Sequence, residues 1–447
     1  MSSLRTFVDA LDPQDVIRIA SPHDYVPTAI VMEAERKGRS PVIVVDAEDG
    51  QPPVIVNLFG DRGRIARIAG VTEAEFFPRW GEFLSKPIAP RVVSDGPAHE
   101  VITQGDDVDC RALPICRHFT EEAGRYVTAG VFVCKDPDTG VRNLSYARML
   151  LKGPRQFSIN LGSRGDLWDH HRRAEAGKRN LEAAVVIGAA PAFYLAAAAK
   201  VAMSFDEYDL AGSLLGRPLD IVKCRTIDVE VPADAEYVLE GEILADVRDD
   251  EGPAAEYTGY ASEKSTRNVF VVKAMTRKTA PLYLDIVPGK SAEHLLMAGI
   301  ARQARDYSRI KEMVPSLHAI SFPISGNLFH AYLSLKNPIA GEARRALLVL
   351  FGADPYVKLA IAVDHDIDVF DEAAVQGALA TRFQADTGLF VVPKTLCNML
   401  DPSSAGGVAA KLGIDATLPP GWTEKPTTLP ADAVRAARDV LATWRAR

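Results

Sequence analysis

Between residues 106 and 310 the chain carries eight short runs of β-branched, aromatic and apolar residues: YVTAGVFVCKD, RNLSYARMLLKG, RQFSINL, EAAVVIGA, DIVKCRTIDVEVP, EYVLEGEILADV, RNVFVVKAMTRK and PLYLDIVPG. Strands at this density predict a barrel-like or mixed-sheet domain. Within it one helix is expected over about 168–177 and another over about 292–304. The flanks alternate differently. Over 1–105, helices at Thr28–Lys37, Asp61–Ile68 and Thr72–Leu84 interleave with the strands SPVIVVDAED and PPVIVNLFG. Over 311–425, SLHAISFPI, KLAIAVDHDIDVF and TGLFVVP alternate with helices at Glu342–Leu350 and Glu372–Phe383. PSSAGGVAAKLGIDATLPPG (402–421) reads as a Gly/Pro-rich loop, and a final helix, 426–447 with its Pro-rich tether, closes the chain. The expected architecture is a multidomain α/β protein: an N-terminal α/β unit, a split β-barrel-like centre, a C-terminal α/β unit and a terminal helix.

The 447 residues include 51 Lys and Arg against 59 Asp and Glu, a net charge of −8, which argues against nucleic acid or an anionic membrane as the main partner. Hydrophobic residues make up 47% and charged ones 25%, so disorder is excluded for the chain as a whole. Cysteines at 110, 116, 134, 224 and 397 are odd in number and form no CxxC, against a disulfide framework or a thiolate zinc site. MSSLRTFVDALDP reads as an amphipathic helix broken at Pro13, with no signal-peptide core. The apolar stretch 183–203 is interrupted by Pro191 and Lys200, so a strand and a short helix are expected there, not a membrane span. A cytoplasmic protein is the resulting expectation. P-loop, GxGxxG, GxSxG and HExxH patterns are absent. Adjacent His170 and His171 cannot share one helix face and are expected at a surface or interface.

Chemistry-bearing residues gather in four segments. In DVRDDEGPAAEYTGY, Glu251 and Glu256 lie five apart across a Gly/Pro-shaped loop, so both can face one cavity. Two buried carboxylates split their pKa values, which is how a site holds a proton donor at neutral pH. A solvated acidic loop is the competing reading, since Asp246, Asp249 and Asp250 are close by. In RNLSYARMLLKG, Arg148 sits inside an apolar run and needs an anionic partner: Glu251, Glu256 or a substrate carboxylate. Asn143 in the same run is a neutral oxygen ligand for a hard cation, as the Glu207 carboxylate in MSFDEYDLAGSL is an anionic one. Lys358, entering a strand in DPYVKLAIAVD, either contacts phosphate or snorkels to solvent.

Together these segments resemble the UbiD-type decarboxylases, prenylated-flavin enzymes acting on aromatic and α,β-unsaturated acids. The matching runs are LPICRHFTEEAGRYVTAGVFVCKDPDTGVRNLSYARM (113–149), EAAVVIGAAP, SFDEYDLAGSLLGRPLDIVKCRTIDVEVPADAEYVLEGEI, EGPAAEYTGY, AEHLLMAGIARQA and VKLAIAVDHDIDVFDEAAVQGALATRF. The resemblance implies a flavin-binding centre and an oligomerising C-terminal unit. It places a catalytic arginine–glutamate–glutamate set on Arg148, Glu251 and Glu256, with Glu256 as proton donor. It also implies prenylated FMN held through Asn143, Ser145, Tyr146, Arg148, Glu207 and Lys358, with Mn²⁺ and K⁺ nearby. The family's metal set is asparagine, histidine and glutamate; Asn143 and Glu207 match, but Asp166 stands where the histidine is expected. His170, one turn on, is an alternative. His294 and Arg302, eight apart on one helix face, resemble the pair that reads a second carboxylate in furan-2,5-dicarboxylate decarboxylases. Furan-2,5-dicarboxylate is therefore the leading substrate. Pyrrole, indole, phenazine and hydroxybenzoic acids, or a non-aromatic unsaturated acid such as a phosphorylated isoprenoid precursor, remain open. So does a non-catalytic flavin-binding homologue. The resemblance further implies a flavin prenyltransferase as cofactor supplier and a homodimer, or a hexamer.

Overall fold

A computed structural model describes residues 3–46, 50–162, 165–419, 421–424 and 427–445. Its centre is a nine-stranded antiparallel sheet. The ordered path runs Tyr126–Val127, Met149–Leu151, Gln156–Ile159, Ser265–Arg277, Tyr237–Glu251, Leu181–Ile187, Val131–Lys135 and Arg142–Tyr146, with Val101–Gln104 paired to Ser265–Arg277. The two ends of this path do not pair with one another, so the sheet is an open, split barrel. Runs such as VFVCK and LEAAVVI are buried almost throughout, as strands covered on both faces must be. The expected α/β architecture with a split β-barrel-like centre is the one observed.

Three smaller sheets surround it. Val16–Ala20, Val42–Asp46 and Val54–Val56 form an N-terminal sheet whose fourth strand is Tyr283–Leu284. The PLYLDIVPG run, grouped by sequence with the barrel strands, thus pairs in parallel with Val54 and Ile55. DIVKCRTIDVEVP also leaves the barrel: Asp220–Lys223 and Glu230–Pro232 form a separate sheet with Arg91–Val93. The C-terminal sheet orders Leu317–Ser321, His330–Leu335, Leu359–Asp364, Val408–Asp415 and Leu389–Leu396. Two of these strands correct the sequence reading. The 402–421 segment is not loop throughout, because Val408–Asp415 pairs on both sides, with Leu359–Asp364 and with Leu389–Leu396. His330–Leu335 lacks a strong sequence signal but is buried from Ala331 to Leu335 between its two neighbours.

Most helices fall close to expectation, but Glu207–Leu215 is one the sequence reading did not include. Asp166–Ala176 and Glu207–Leu215 flank the barrel, and the N-cap carboxylate of the latter, Asp206, accepts from the Tyr208 amide. Gly212 on that helix is required by close packing: a Cβ there would lie 2.2 Å from the Ile88 carbonyl oxygen. His170 and His171 are both buried, contrary to the surface placement expected, because helix Asp166–Ala176 lies against the sheet. They diverge as adjacent helical positions should: His170 meets Cys134 and Asp136, and His171 meets the Leu244 carbonyl and Asn268. Among the described residues no helix is long and apolar enough to cross a membrane.

The longest helix, Ala292–Met313, joins the parts of the fold. Its second residue, Glu293, is fully buried and accepts the backbone amides of Asn57, Phe59 and Val287 at 3.0–3.1 Å. Those three donors belong to the N-terminal sheet region and to the segment just before the helix. Glu293→Gln keeps the shape but leaves one acceptor oxygen for three amides. It should cost about 1–3 kcal/mol of stability in denaturant melts; an unchanged melt would mean the carboxylate does not anchor the helix.

Candidate active site

Arg148 sits in the short break between strands Arg142–Tyr146 and Met149–Leu151. Strand Tyr237–Glu251 ends where Glu251 reaches it. Glu251, without solvent exposure, takes a bidentate pair from Arg148: Nε to Oε1 at 2.8 Å and Nη2 to Oε2 at 3.1 Å. Gly252 follows at φ +80, where a Cβ would lie 2.7 Å from the Glu263 carbonyl; only glycine turns the chain there without strain. The turn returns Glu256, whose carboxylate also pairs with Arg148 through Nη1. Burial opposes the charge on Arg148, but Glu251 and Glu256 outweigh it and hold the guanidinium protonated above its ordinary range.

This triad borders a cavity of about 580 Å³, within the ~300–1,000 Å³ typical of ligand and cofactor pockets. Of the residues singled out from sequence, Ser145, Tyr146, Arg148, Asp166, Glu207, Glu256, His294 and Arg302 line it. Asn143 and Glu251 stand one layer behind. Asn143 is buried and donates to Glu207 Oε1 at 3.1 Å, while the Ser145 hydroxyl donates to Asn143 Oδ1 at 2.8 Å. Lys358 is not among the lining residues; its ammonium meets Asp401 at 2.8 Å and the Ser403 hydroxyl at 2.6 Å.

Ser145, Glu207 and Asp166 form an oxygen-rich corner of the cavity, backed by Asn143. Burial pushes the Glu207 carboxyl up to about 8, and the nearby charges of Asp166 and Asp206 add to the rise, against hydrogen bonds from its own amide and that of Leu144. A buried carboxylate raised in this way is a ready ligand for a hard divalent cation, which restores its charged form. Asp166, at the first turn of its helix, lines the cavity, whereas His170 does not. Among the described residues, Cys116, His118 and Asp285 form the one group of three His, Cys or carboxylate side chains with ligand atoms within 4.8 Å. It is an internal ion pair: His118 Nε2 lies 2.8 Å from Asp285. Burial works against the His118 charge, but Asp285 and Glu122 outweigh it and lift the imidazole to about 10.

Elsewhere on the cavity wall, within electrostatic reach of Glu256 and Arg148, His294 Nδ1 donates to the Gly289 carbonyl at 3.0 Å, and burial pulls its pKa down, favouring the neutral ring. Arg302 Nε donates to Asp354 at 2.8 Å. Several lining residues escaped the sequence reading: Tyr126, Tyr257, Arg305, Tyr356 and Asn398. Tyr126 fixes the carboxylate loop, its hydroxyl accepting from the Gly252 amide and donating to the Pro253 carbonyl, each at 3.2 Å. Arg305, one turn beyond Arg302 on the same helix face, was open to the spacing argument. The others come from separate segments and carry no local signal.

Comparison with known proteins agrees with this geometry. Residues 91–291 match the 3-octaprenyl-4-hydroxybenzoate carboxy-lyase Rift-related domain of UbiD, and residues 295–416 match the C-terminal domain of the same enzyme class. The UbiD-class enzyme HmfF from Pelotomaculum thermopropionicum, solved in complex with FMN, is 36% identical, with a TM-score of 0.92 over 98% of this chain and 99% of its own. An anhydromevalonate phosphate decarboxylase from Methanothermobacter thermautotrophicus is 32% identical over 389 residues, covering 87% of this chain and 90% of that protein. The vanillic acid decarboxylase of Sedimentibacter hydroxybenzoicus, in open form, is 25% identical with a TM-score of 0.88, over 100% and 99% of the two chains.

Removing the guanidinium would strand Glu251 as an unpaired buried charge. Arg148→Ala should therefore destabilise the protein by about 3–5 kcal/mol in chemical denaturation. A loss under about 1 kcal/mol would show that the pair is not buried as described.

Proposed function

Because the chain belongs to the UbiD family of carboxy-lyases, we propose that it decarboxylates an unsaturated carboxylic acid without net oxidation, with prenylated FMN in the 580 Å³ cavity. The observation carrying this reading is the single guanidinium of Arg148 shared between a fully buried carboxylate, Glu251, and one facing the cavity, Glu256. When bound, prenylated FMN supplies the electron sink for the carbanion left as CO₂ departs. Arg148 orients the reacting face of the cavity and stabilises developing negative charge. Glu256 delivers the proton to the carbon that lost its carboxylate. As it gains or loses that proton, Arg148 keeps its bidentate hold on Glu251, so no buried charge is left unpaired. Ser145 and Tyr146, on the cavity wall, would help hold the cofactor. Asn143, Asp166 and Glu207 would hold a divalent cation such as Mn²⁺ against its phosphate, with K⁺ nearby; Lys358 would reach that phosphate only by leaving Asp401 and Ser403. A flavin prenyltransferase supplies the cofactor.

The substrate carries a second anionic group, and furan-2,5-dicarboxylate is the leading candidate. His294 and Arg302, both lining the cavity, support this. A second reading, a phosphorylated non-aromatic unsaturated acid, draws on Arg305, which adds another guanidinium to that lining, and on the likeness to anhydromevalonate phosphate decarboxylases. The boundaries near 105, 310 and 425 and the oligomerising role of the last unit belong to the same proposal. Leu429, Val440 and Leu441 on and beside the terminal helix Ala431–Arg445 are exposed apolar groups suited to a homodimer contact.

Co-expression with a flavin prenyltransferase, anaerobic purification with Mn²⁺ and K⁺, and measurement of CO₂ release test the reading. Wild type should release CO₂ only when the prenylated cofactor is supplied. Glu256→Gln should keep the fold and cofactor but lose turnover by about a hundredfold or more; wild-type turnover in that variant would reject Glu256 as proton donor. Arg302→Ala should raise KM for furan-2,5-dicarboxylate at least about tenfold more than for 2-furoate. Equal effects on both acids would remove Arg302 from second-anion recognition.

A further inference from the structure

The far end of the cavity is built on buried charges that the decarboxylation itself does not use. Arg302 and Arg305 line it from helix Ala292–Met313. Behind them stand two carboxylates with no solvent exposure, Asp306 on the same helix and Asp354 just past helix Glu342–Ala353. Arg302 is fixed in place. Its Nε donates to Asp354 Oδ2 at 2.8 Å and its Nη2 to the Leu328 carbonyl at 3.1 Å. Its guanidinium carbon lies 4.9 Å from the Phe322 ring centre and 5.0 Å from that of Tyr356. Arg305 bridges the two acids, Nε to Asp306 Oδ1 at 2.8 Å and Nη2 to Asp354 Oδ2 at 3.2 Å. Asp354 Oδ1 accepts the Tyr356 amide at 2.8 Å, so every oxygen of Asp354 has a donor. Asp306 Oδ2 is buried without one. A buried carboxylate oxygen that lacks a donor, beside a second carboxylate, is the arrangement in which a pair retains one proton.

We propose that Asp306 and Asp354 act as a one-proton carboxylate pair that sets the charge of a second-anion subsite at Arg302 and Arg305. Binding of a substrate's remote carboxylate or phosphate there takes up a proton at Asp306. This rests on the decarboxylase reading above and adds to it what determines preference for a dianionic acid. Asp306 is pushed up to about 7 by burial, with the Asp354 charge adding to the rise and the Arg305 hydrogen bond opposing it. On Asp354, burial is outweighed by Arg302, which holds it below its usual value. From the neighbouring strand Val408–Asp415, Lys411 donates to the carbonyls of Asp354, Pro355 and Val357 at 2.9–3.1 Å. Burial lowers its pKa to about 8, and the Cys397 thiol lies near it. Tyr257, the remaining titratable neighbour of Arg302, is pushed above its usual value by burial and stays neutral.

The sign follows from these groups. Below about pH 7, Asp306 is neutral, and the cations Arg302, Arg305 and Lys411 face one anion, Asp354. Above it a second anion appears, and above about 8 a cation is lost. Affinity for a second anionic group therefore falls as pH rises. An arriving anion raises the Asp306 pKa further, which is the proton uptake.

Calorimetric titration at pH 7.5, in buffers of differing ionisation enthalpy, reads that proton directly. The protein would be loaded with FMN in place of the prenylated cofactor, so that binding is measured without turnover. Furan-2,5-dicarboxylate is expected to bind with uptake of up to about one proton and to weaken by up to about tenfold per pH unit above 7.5. 2-Furoate should take up none. Asp306→Asn, which fixes the neutral form, should bind the diacid with only the small uptake owed to Lys411 and flatten the profile between pH 6 and 7.5. If that variant does not fold, the wild-type profile decides, because uptake must set in near pH 7, peak above it and be specific to the diacid. Diacid binding without uptake, or uptake undiminished in Asp306→Asn, overturns the proposal while leaving the decarboxylase reading intact. Failure of the diacid to bind overturns it too, and CO₂ release from the monoacid then shows whether the decarboxylase reading stands.

Discussion

The bidentate pair between Arg148 and Glu251 is the contact on which the site depends. A guanidinium and a carboxylate removed from water each carry a desolvation cost of several kcal/mol, which only close, geometrically matched pairing offsets. Here the pairing is possible because of the split in the barrel. Arg148 lies in the break between two short strands, and Glu251 is the last residue of a 15-residue strand on the same sheet. The glycine after Glu251 turns the chain so that Glu256 comes back to the same guanidinium from the cavity side. One cation thus connects the sheet's interior to the cavity, and its pairing with Glu256 ties down the loop that follows the strand.

The two ends of the cavity divide the remaining chemistry. One end offers oxygen ligands and a carboxyl raised by burial, the Asn143–Glu207–Asp166 corner. The other offers guanidinium groups whose charge is balanced by buried aspartates. A flat cofactor and a small acid set between them would meet a cation-binding corner at the phosphate side and a second-anion subsite at the substrate side. Helix Ala292–Met313 supplies the latter, and Glu293 ties its first turn to the N-terminal sheet. The position of the substrate end therefore depends on a contact remote from the chemistry.

Much of this was legible in the sequence, for identifiable reasons. Strands such as VFVCK are buried on both faces and announce themselves as unbroken apolar runs. Helix Ala292–Met313 shows its cap and its periodicity, although its C-terminal half was cut short at 304 by the charged run that follows. Arg148 inside an apolar strand was informative because a buried cation demands a partner. What failed to show was non-local. Tyr283–Leu284 looks like any barrel strand, yet pairs with a segment more than two hundred residues earlier. Val408–Asp415 is flanked by glycine and proline, which masked a strand held by partners on both sides. Asp354 and Arg302 are 52 positions apart, and nothing local to either reveals that the arginine is already engaged.

The central claim is that this cavity is a prenylated-flavin pocket whose cation-binding corner is made by Asn143, Asp166 and Glu207. Native mass spectrometry of protein co-expressed with a flavin prenyltransferase tests it most directly. The account predicts about one prenylated FMN and one divalent ion per chain, with both lost in Glu207→Ala while the fold is kept. Folded protein carrying neither group, or full cofactor occupancy in Glu207→Ala, would contradict it.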